Sequence, residues 1–259
     1  MSTNFLLLND AKTEFMLLSS KNFTPENCPL PSVKIGDEVV DCSTGAKNLG
    51  VLFDSSLSME NHIANVSRTC FYHLRNISRI RSYLSQSDTE KIVHALVSSR
   101  LDSCNSLLAG LPACRLKPLV RVQNTACRLI VGARKFDHIT EHLIGLHWLP
   151  IPQRIEFKIL LLVFKSLQGL APDYLCELIK WHIPSRSLRS ADCFLAAEKS
   201  VKMSRTNGRD SKVQFKNRAF ENLGPRLFNA LPLFIRSSQT VEIFKNRLKT
   251  HLFKSAYDI

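Results

Sequence analysis

The residues of this sequence able to do chemistry are its histidines, carboxylates, cysteines and glycines, and their spacing decides what each set could support. His138 and His142 stand four apart, which would put two imidazoles on one face of a helix as metal ligands. No glutamate follows His138, and the next histidine, His147, sits beside Trp148, so the His-Glu-x-x-His pattern is missing and packing or surface roles fit better. Asp37, Glu38 and Asp41 could hold a cation, yet they fall at an expected hairpin tip, where carboxylates are usually solvated. Gly45, Gly50 and Gly208 belong to no Gly-x-x-x-x-Gly-Lys run, and turn roles explain them. No Gly-x-Ser-x-Gly elbow presents a serine. Cys104 and Cys114 flank Leu107, Leu108 and Leu111, with nothing nearby to make a thiolate. These patterns lead to the expectation of no catalytic residue, no metal and no cofactor.

Charge is the stronger signal. The 259 residues carry 35 Lys/Arg against 22 Asp/Glu, a formal charge of +13. Through Ile179 the balance is 19 bases against 16 acids, and from Lys180 onward it is 16 against 6, so most of the excess lies in the last third. Arg186, Arg189, Lys199, Lys202, Arg205, Arg209, Lys212, Lys216 and Arg218 fall within one polar, irregular stretch there. Such clusters suit phosphate backbones through counterion release, and acidic proteins or lipid headgroups less specifically. The plain alternative is that basic surface only keeps a protein in solution.

A chain of this length can bury about three quarters of its unfolded surface without a disulfide or metal staple. The longest apolar run, Ile159 to Phe164, is far short of the roughly 20 residues that cross a bilayer, and no charged-then-apolar leader opens the sequence. The expectation is therefore an intracellular protein, cytoplasmic or nuclear, with no membrane partner. Its eight cysteines, which form no Cys-x-x-Cys pair, read as small buried apolar residues.

The elements follow from periodicity. Residues 1–55 alternate short apolar runs (Phe5 to Leu8, Phe15 to Leu18, Val33 to Ile35, Val39 and Val40, Leu49 to Phe53) with turn signals that include Gly36-Asp37 and Thr44-Gly45, predicting strands and hairpins. From Leu57 the period becomes helical: Ile63, Val66, Cys70, Leu74, Ile77 and Leu84 form one stripe. Ser87 with Glu90 reads as a capping box before a helix carrying Ile92, Leu96 and Val97. Pro112 opens a third helix with the stripe Leu116, Leu119, Val120, Ala126, Leu129 and Ile130. Pro152 opens a fourth that Gly169 ends, and Pro172 starts a short fifth. Residues 183–210 have little periodicity, whereas 219–231 and 241–253 are amphipathic, punctuated by Pro225 and Pro232. The predicted fold is mainly α with a small N-terminal β-hairpin region (α+β), divided at 1–55, 56–182 and 183–259.

Four stretches in order resemble one known family. Residues 1–15, MSTNFLLLNDAKTEF, resemble the segment that follows the active-site aspartates in reverse transcriptases of non-LTR retrotransposons, the jockey-like or LINE-type elements. Asn48-Leu49-Gly50-Val51-Leu52-Phe53-Asp54, with Leu57 and His62, resembles their primer-grip hairpin. Residues 146–159 (LHWLPIPQRIEFKI) with 169–175 (GLAPDYL) resemble the helical region downstream of the polymerase, and 224–232 (GPRLFNALP) with Phe244-Lys245 and 248–253 (LKTHLF) resemble the terminal segment.

The resemblance implies a palm remnant, a helical thumb-like bundle and a basic C-terminal segment. Polymerases of the family hold two metal ions with palm aspartates, including an adjacent Asp-Asp pair. This sequence contains no Asp-Asp pair, so the expectation is a remnant truncated after that motif and not itself an enzyme. Lys12 matches a lysine the family's next motif uses as general acid toward pyrophosphate, without the metal and triphosphate that role needs. Gly50 and Val51 match the primer grip, and Phe228 stands where the family usually has Trp. What persists in this reading is a grip on RNA or DNA backbone by Gly50, Val51, Arg186, Arg189, Lys199, Lys202, Arg205, Arg209, Lys212, Lys245, Arg247 and Lys249. No aromatic-interleaved motif for reading bases is evident, so binding is expected to ignore sequence. Two alternatives stand beside it: a helical module that binds a protein partner or itself through faces once packed on the palm, and a decayed reading frame with no function.

Overall fold

The computed structural model describes residues 12–18, 32–35, 38–181, 195 and 217–259. The protein is mostly helical, with small sheets at the N-terminal end. It divides into two compact units, Met1–Ala64 and Asn65–Ile259. Among the described residues no helix is long and apolar enough to cross a membrane.

Among the described residues the first unit holds two sheets. Strand β1 (Phe15–Met16) pairs in parallel with β3 (Glu38–Ser43), and β2 (Ser32–Ile35) pairs antiparallel with β3 in the register Val33 to Val40 and Lys34 to Val39. The Ser43 hydroxyl donates to the Phe15 carbonyl at 3.2 Å, and the Lys47 N–H donates to Glu14 Oε2 at 3.2 Å, which ties the first strand to the next hairpin. That hairpin joins β4 (Gly45–Asn48) to β5 (Val51–Asp54). Its two-residue turn has Leu49 at φ 47° and Gly50 at φ 85°, the positive pair that suits the twist of paired strands. Two expectations change here: Gly45 is in a strand rather than a turn, and Leu49 is in the turn rather than a strand. Pairing explains the first, because a Cβ at Gly45 would lie 3.0 Å from the Phe53 carbonyl oxygen. The expected run at 5–8 and the turn signal at Gly36-Asp37 lie outside the described residues.

Helix α1 (Glu60–Ile80) starts in the first unit and runs into the second. It is followed by a 3₁₀ turn at Arg81–Tyr83, α2 (Gln86–Val93), a π turn at His94–Ser98, α3 (Ser99–Asp102), a 3₁₀ turn at Asn105–Leu108 and α4 (Ala113–Val131). Then come α5 (Thr140–Gly145), α6 (Ile151–Leu167), α7 (Asp173–Cys176), α8 (Phe220–Ala230), α9 (Leu233–Arg236) and α10 (Val241–Tyr257).

The cap of α2 is Ser85, not Ser87. Its extended backbone (φ −68°, ψ 163°) lets Oγ accept the Asp88 N–H at 3.1 Å and donate to Asp88 Oδ2 at 2.7 Å. In the α2 region Thr89, Val93 and Val97 are buried while the expected Leu96 is exposed. Among the described cysteines, Cys70 and Cys127 are buried as expected, but Cys42 and Cys176 are half-buried and Cys104 and Cys114 are exposed.

Helix α6 is the centre of the second unit: α4, α8, α10 and the 105–108 turn all pack on it. Ile155, Ile159, Leu160, Val163 and Phe164 are buried on it, each contributing about 1.5–3 kcal/mol of apolar burial. Phe164 stacks on Phe244 of α10 with ring centres 4.1 Å apart and planes 8° from parallel, and Phe228 of α8 lies 6.3 Å beyond. Pro225, expected to punctuate, instead sits buried inside α8. Its neighbour Gly224 lets α8 come so near α6 that a Cβ there would lie 2.7 Å from Val163 Cγ2, and this contact offsets the hydrogen bond a proline cannot make. Arg81 closes the end of α4 by donating Nε to Leu129 O at 2.9 Å and Nη2 to Ile130 O at 3.0 Å, satisfying two carbonyls that have no partner within the helix.

Candidate functional site

The primer-grip resemblance falls on the β4–β5 hairpin, where its residues are architectural. Asp54 accepts from Ser56 Oγ at 2.6 Å, from the Ser58 N–H at 2.8 Å and from the Met59 N–H at 2.8 Å, tying the hairpin to the start of α1. Burial alone would push the Asp54 carboxyl up, but the hydrogen bonds from Ser56, Ser58 and Met59 hold it below its ordinary value. His62 accepts the Leu52 N–H on Nδ1 at 3.4 Å, and burial lowers its pKa, so the neutral imidazole is the form the fold holds. Gly50 is at the turn, whereas Val51 is 4% exposed; a strand could meet Leu49 or the Gly50 backbone but not the Val51 side chain. Lys12 is exposed.

Of the basic residues singled out by the sequence, Arg186, Arg189, Lys199, Lys202, Arg205, Arg209 and Lys212 lie outside the described residues. The three on α10 differ from one another. Lys245 is paired with Glu242 at 2.7 Å. Arg247 donates to the Phe234 carbonyl and, at 3.5 Å, to Ser238 Oγ, closing α9. Lys249 makes no ion pair or hydrogen bond among the described residues and faces a cavity of about 480 Å³.

That cavity is lined by His94, Asp102, Asn105, residues 146–149, Arg154, Phe157, Lys158 and Lys249. Its back is the Leu146-His147-Trp148-Leu149 turn, in which His147 takes a left-handed conformation at φ 53°. Three side chains from three helices hold the turn by its carbonyls. Gln123 Nε2 of α4 donates to Leu149 O at 2.7 Å, Arg154 Nε of α6 donates to the same oxygen at 2.9 Å, and the Tyr257 hydroxyl of α10 donates to Trp148 O at 2.6 Å. Burial first, and then the neighbouring Cys127, push the Tyr257 hydroxyl up to about 12 against the opposing pull of Arg154. It therefore stays a donor.

Arg154 also reaches Asp102 at 2.9 Å and 3.2 Å and lies over the Trp148 ring at 5.6 Å, while the His94 ring meets Trp148 edge-on at 5.4 Å. Two polar atoms of the lining residues, Trp148 Nε1 and Asn105 Oδ1, are sealed from the cavity and have no hydrogen-bond partner among the described residues. Lys158 is exposed and, like Lys249, unpaired among the described residues.

The sequence marked residues 146–159, which include His147, Trp148, Arg154, Phe157 and Lys158, as a family-like stretch, and Lys249 as a backbone contact. It did not mark His94, Asp102 or Asn105, which come from the 94–98 turn, α3 and the 105–108 turn and join the others only through packing. A spacing signal existed only for Arg154 and Lys158, four apart on one helix face.

Reactive groups are few. Burial raises the thiols of Cys70 and Cys127 to about 11, which makes both inert. Among the described residues no group of three His, Cys, Asp or Glu side chains could hold a metal ion. No protein-family model, curated protein or solved structure matches the chain.

Proposed function

We propose that this chain is a noncatalytic nucleic-acid-binding segment related to the part of non-LTR retrotransposon reverse transcriptases that follows the palm aspartates, and that it grips RNA or DNA by the backbone without reading sequence. In this reading residues 1–55 correspond to the end of the palm with its primer-grip hairpin, 56–182 to a thumb-like block and 183–259 to a basic grip. The observation that supports it is charge placement, with 16 Lys/Arg against 6 Asp/Glu from Lys180 onward. RNA-directed DNA polymerase activity is not proposed for these residues, because two-metal phosphoryl transfer needs clustered carboxylates and the 259 residues contain no Asp-Asp pair. The working compartment is one that holds nucleic acid, cytoplasm or nucleus.

The test is fluorescence anisotropy of the purified chain with a labelled RNA hairpin and a DNA duplex at several salt concentrations. A linear fall of log affinity with log salt, of slope about −0.9 per phosphate neutralised, is expected. Replacing Arg186, Arg189, Lys199 and Lys202 by Ala weakens binding to unrelated sequences equally. Absence of saturable binding at low salt sinks the proposal. A protein-binding or self-associating module is the second reading, favoured by Tyr174, Leu233 and Phe234, which are all more than half exposed. A monomer by light scattering counts against its self-associating form.

A further inference from the structure

We infer that the cavity enclosed by His94, Asn105, Trp148, Phe157, Lys158 and Lys249 is a nucleotide site, which takes the phosphate on the two lysines and the base against the ring-lined wall. The inference deepens the nucleic-acid reading and rests on it for the class of ligand.

Three observations converge on this cavity. The first is charge: Arg154, Lys158 and Lys249 face it against one carboxylate, Asp102, and that carboxylate is already taken by Arg154 at 2.9 Å. Lys158 on α6 and Lys249 on α10 are left without partners among the described residues, so an anion entering here meets two unspent ammonium groups. The second is shape and surface. About 480 Å³ falls within the range of roughly 300–1,000 Å³ typical of small-ligand sites. The rings of His94, His147 and Phe157 are at least partly open, and Trp148 lies behind them, giving planar surface for a base.

The third is where the backbone departs from regular helix. The π turn begins at His94, Cys104 is left-handed at φ 51° beside Asn105, and His147 is left-handed at φ 53° beside Trp148. Each departure delivers a residue of this wall. Irregular turns and left-handed non-glycine residues cost free energy and persist where neighbours enforce them, as the three side chains on the 148–149 carbonyls do here.

The ligand chemistry has two sources, a free nucleotide or one residue of a strand. The experiment is calorimetric titration of the full chain with adenosine 5′-monophosphate, adenosine and inorganic phosphate, alongside anisotropy with a short single-stranded RNA. The monophosphate is expected to bind saturably and at least about tenfold tighter than either half alone. Lys158→Ala and Lys249→Ala, both at exposed positions that leave the core intact, each weaken it about tenfold. His94→Ala, which removes an exposed ring of the wall, changes affinity for the monophosphate but not for inorganic phosphate. If the monophosphate displaces the RNA, the site holds a residue of a strand; if both bind together, it holds a free nucleotide. Strand binding with no binding of the monophosphate overturns this inference and leaves the nucleic-acid reading standing, while loss of both overturns both. Equal binding of phosphate and monophosphate also overturns it, since the rings would then contribute nothing.

Discussion

Replacing Arg154 by Met tests the scaffold of the candidate site, because the guanidinium joins α6, the 146–149 turn and α3 while Met keeps most of its apolar stem. The Nε hydrogen bond to Leu149 O at 2.9 Å comes from a charged donor, a class worth about 1.5–3 kcal/mol. The lower end applies, since Gln123 still serves that carbonyl after the substitution. The pair with Asp102 must be discounted for solvent: Arg154 is 13% exposed but Asp102 is 43% exposed, which leaves about 0.5–1 kcal/mol. The placement over Trp148 at 5.6 Å adds about 0.5–1 kcal/mol. Arg154→Met is therefore expected to cost about 3 kcal/mol, a sizeable share of the roughly 5–15 kcal/mol by which domains are stable. Asp102→Asn alone is expected to cost about 0.5–1 kcal/mol, and in a double-mutant cycle the two couple by a similar amount. Urea unfolding followed by tryptophan fluorescence and circular dichroism measures all three. A loss below about 0.5 kcal/mol for Arg154→Met, or zero coupling with Asp102→Asn, would refute the account of this residue as the tie that shapes the cavity.

Two further outcomes follow from other contacts. His62 is held neutral and its pKa lies below the ordinary 6.5, so the unfolded chain takes up the proton first. Its contribution is intact above 6.5 and is lost as the pH falls below that value, and His62→Gln flattens stability measured from about pH 7.5 to about pH 5.5; an unchanged slope rules His62 out as its source. Gly224→Ala gains about 1 kcal/mol of helix propensity but drives a Cβ to 2.7 Å from Val163 Cγ2, so it destabilises by about 1–2 kcal/mol net, and Val163→Ala in the same chain removes part of that loss. Denaturation showing Gly224→Ala to be stabilising would mean that α8 and α6 are not in that contact.

Much of the local structure is legible in the residues. The helix-period stripes at Ile63–Ile77 and Leu116–Ile130 and the prolines at 112, 152 and 172 each act over a few residues, and the helices form where those signals stand. Local signals fail where a distant partner outweighs them. Gly45 joins a strand because it pairs with Asp54, and Pro225 stays in a helix because α8 is packed on α6, whereas Ser85 takes the cap from Ser87 by local geometry, its backbone being the extended one. The basic excess after Lys180 and the 146–150 motif are properties of the chain itself. That Lys245 and Arg247 are spent on Glu242 and Phe234, while Lys249 meets Lys158, His94 and Asn105 around one cavity, is decided by tertiary packing alone. Those residues are separated by up to about three fifths of the chain, and no periodicity or spacing rule reaches across such distances; only the burial of α6 among α4, α8 and α10 brings them to one wall.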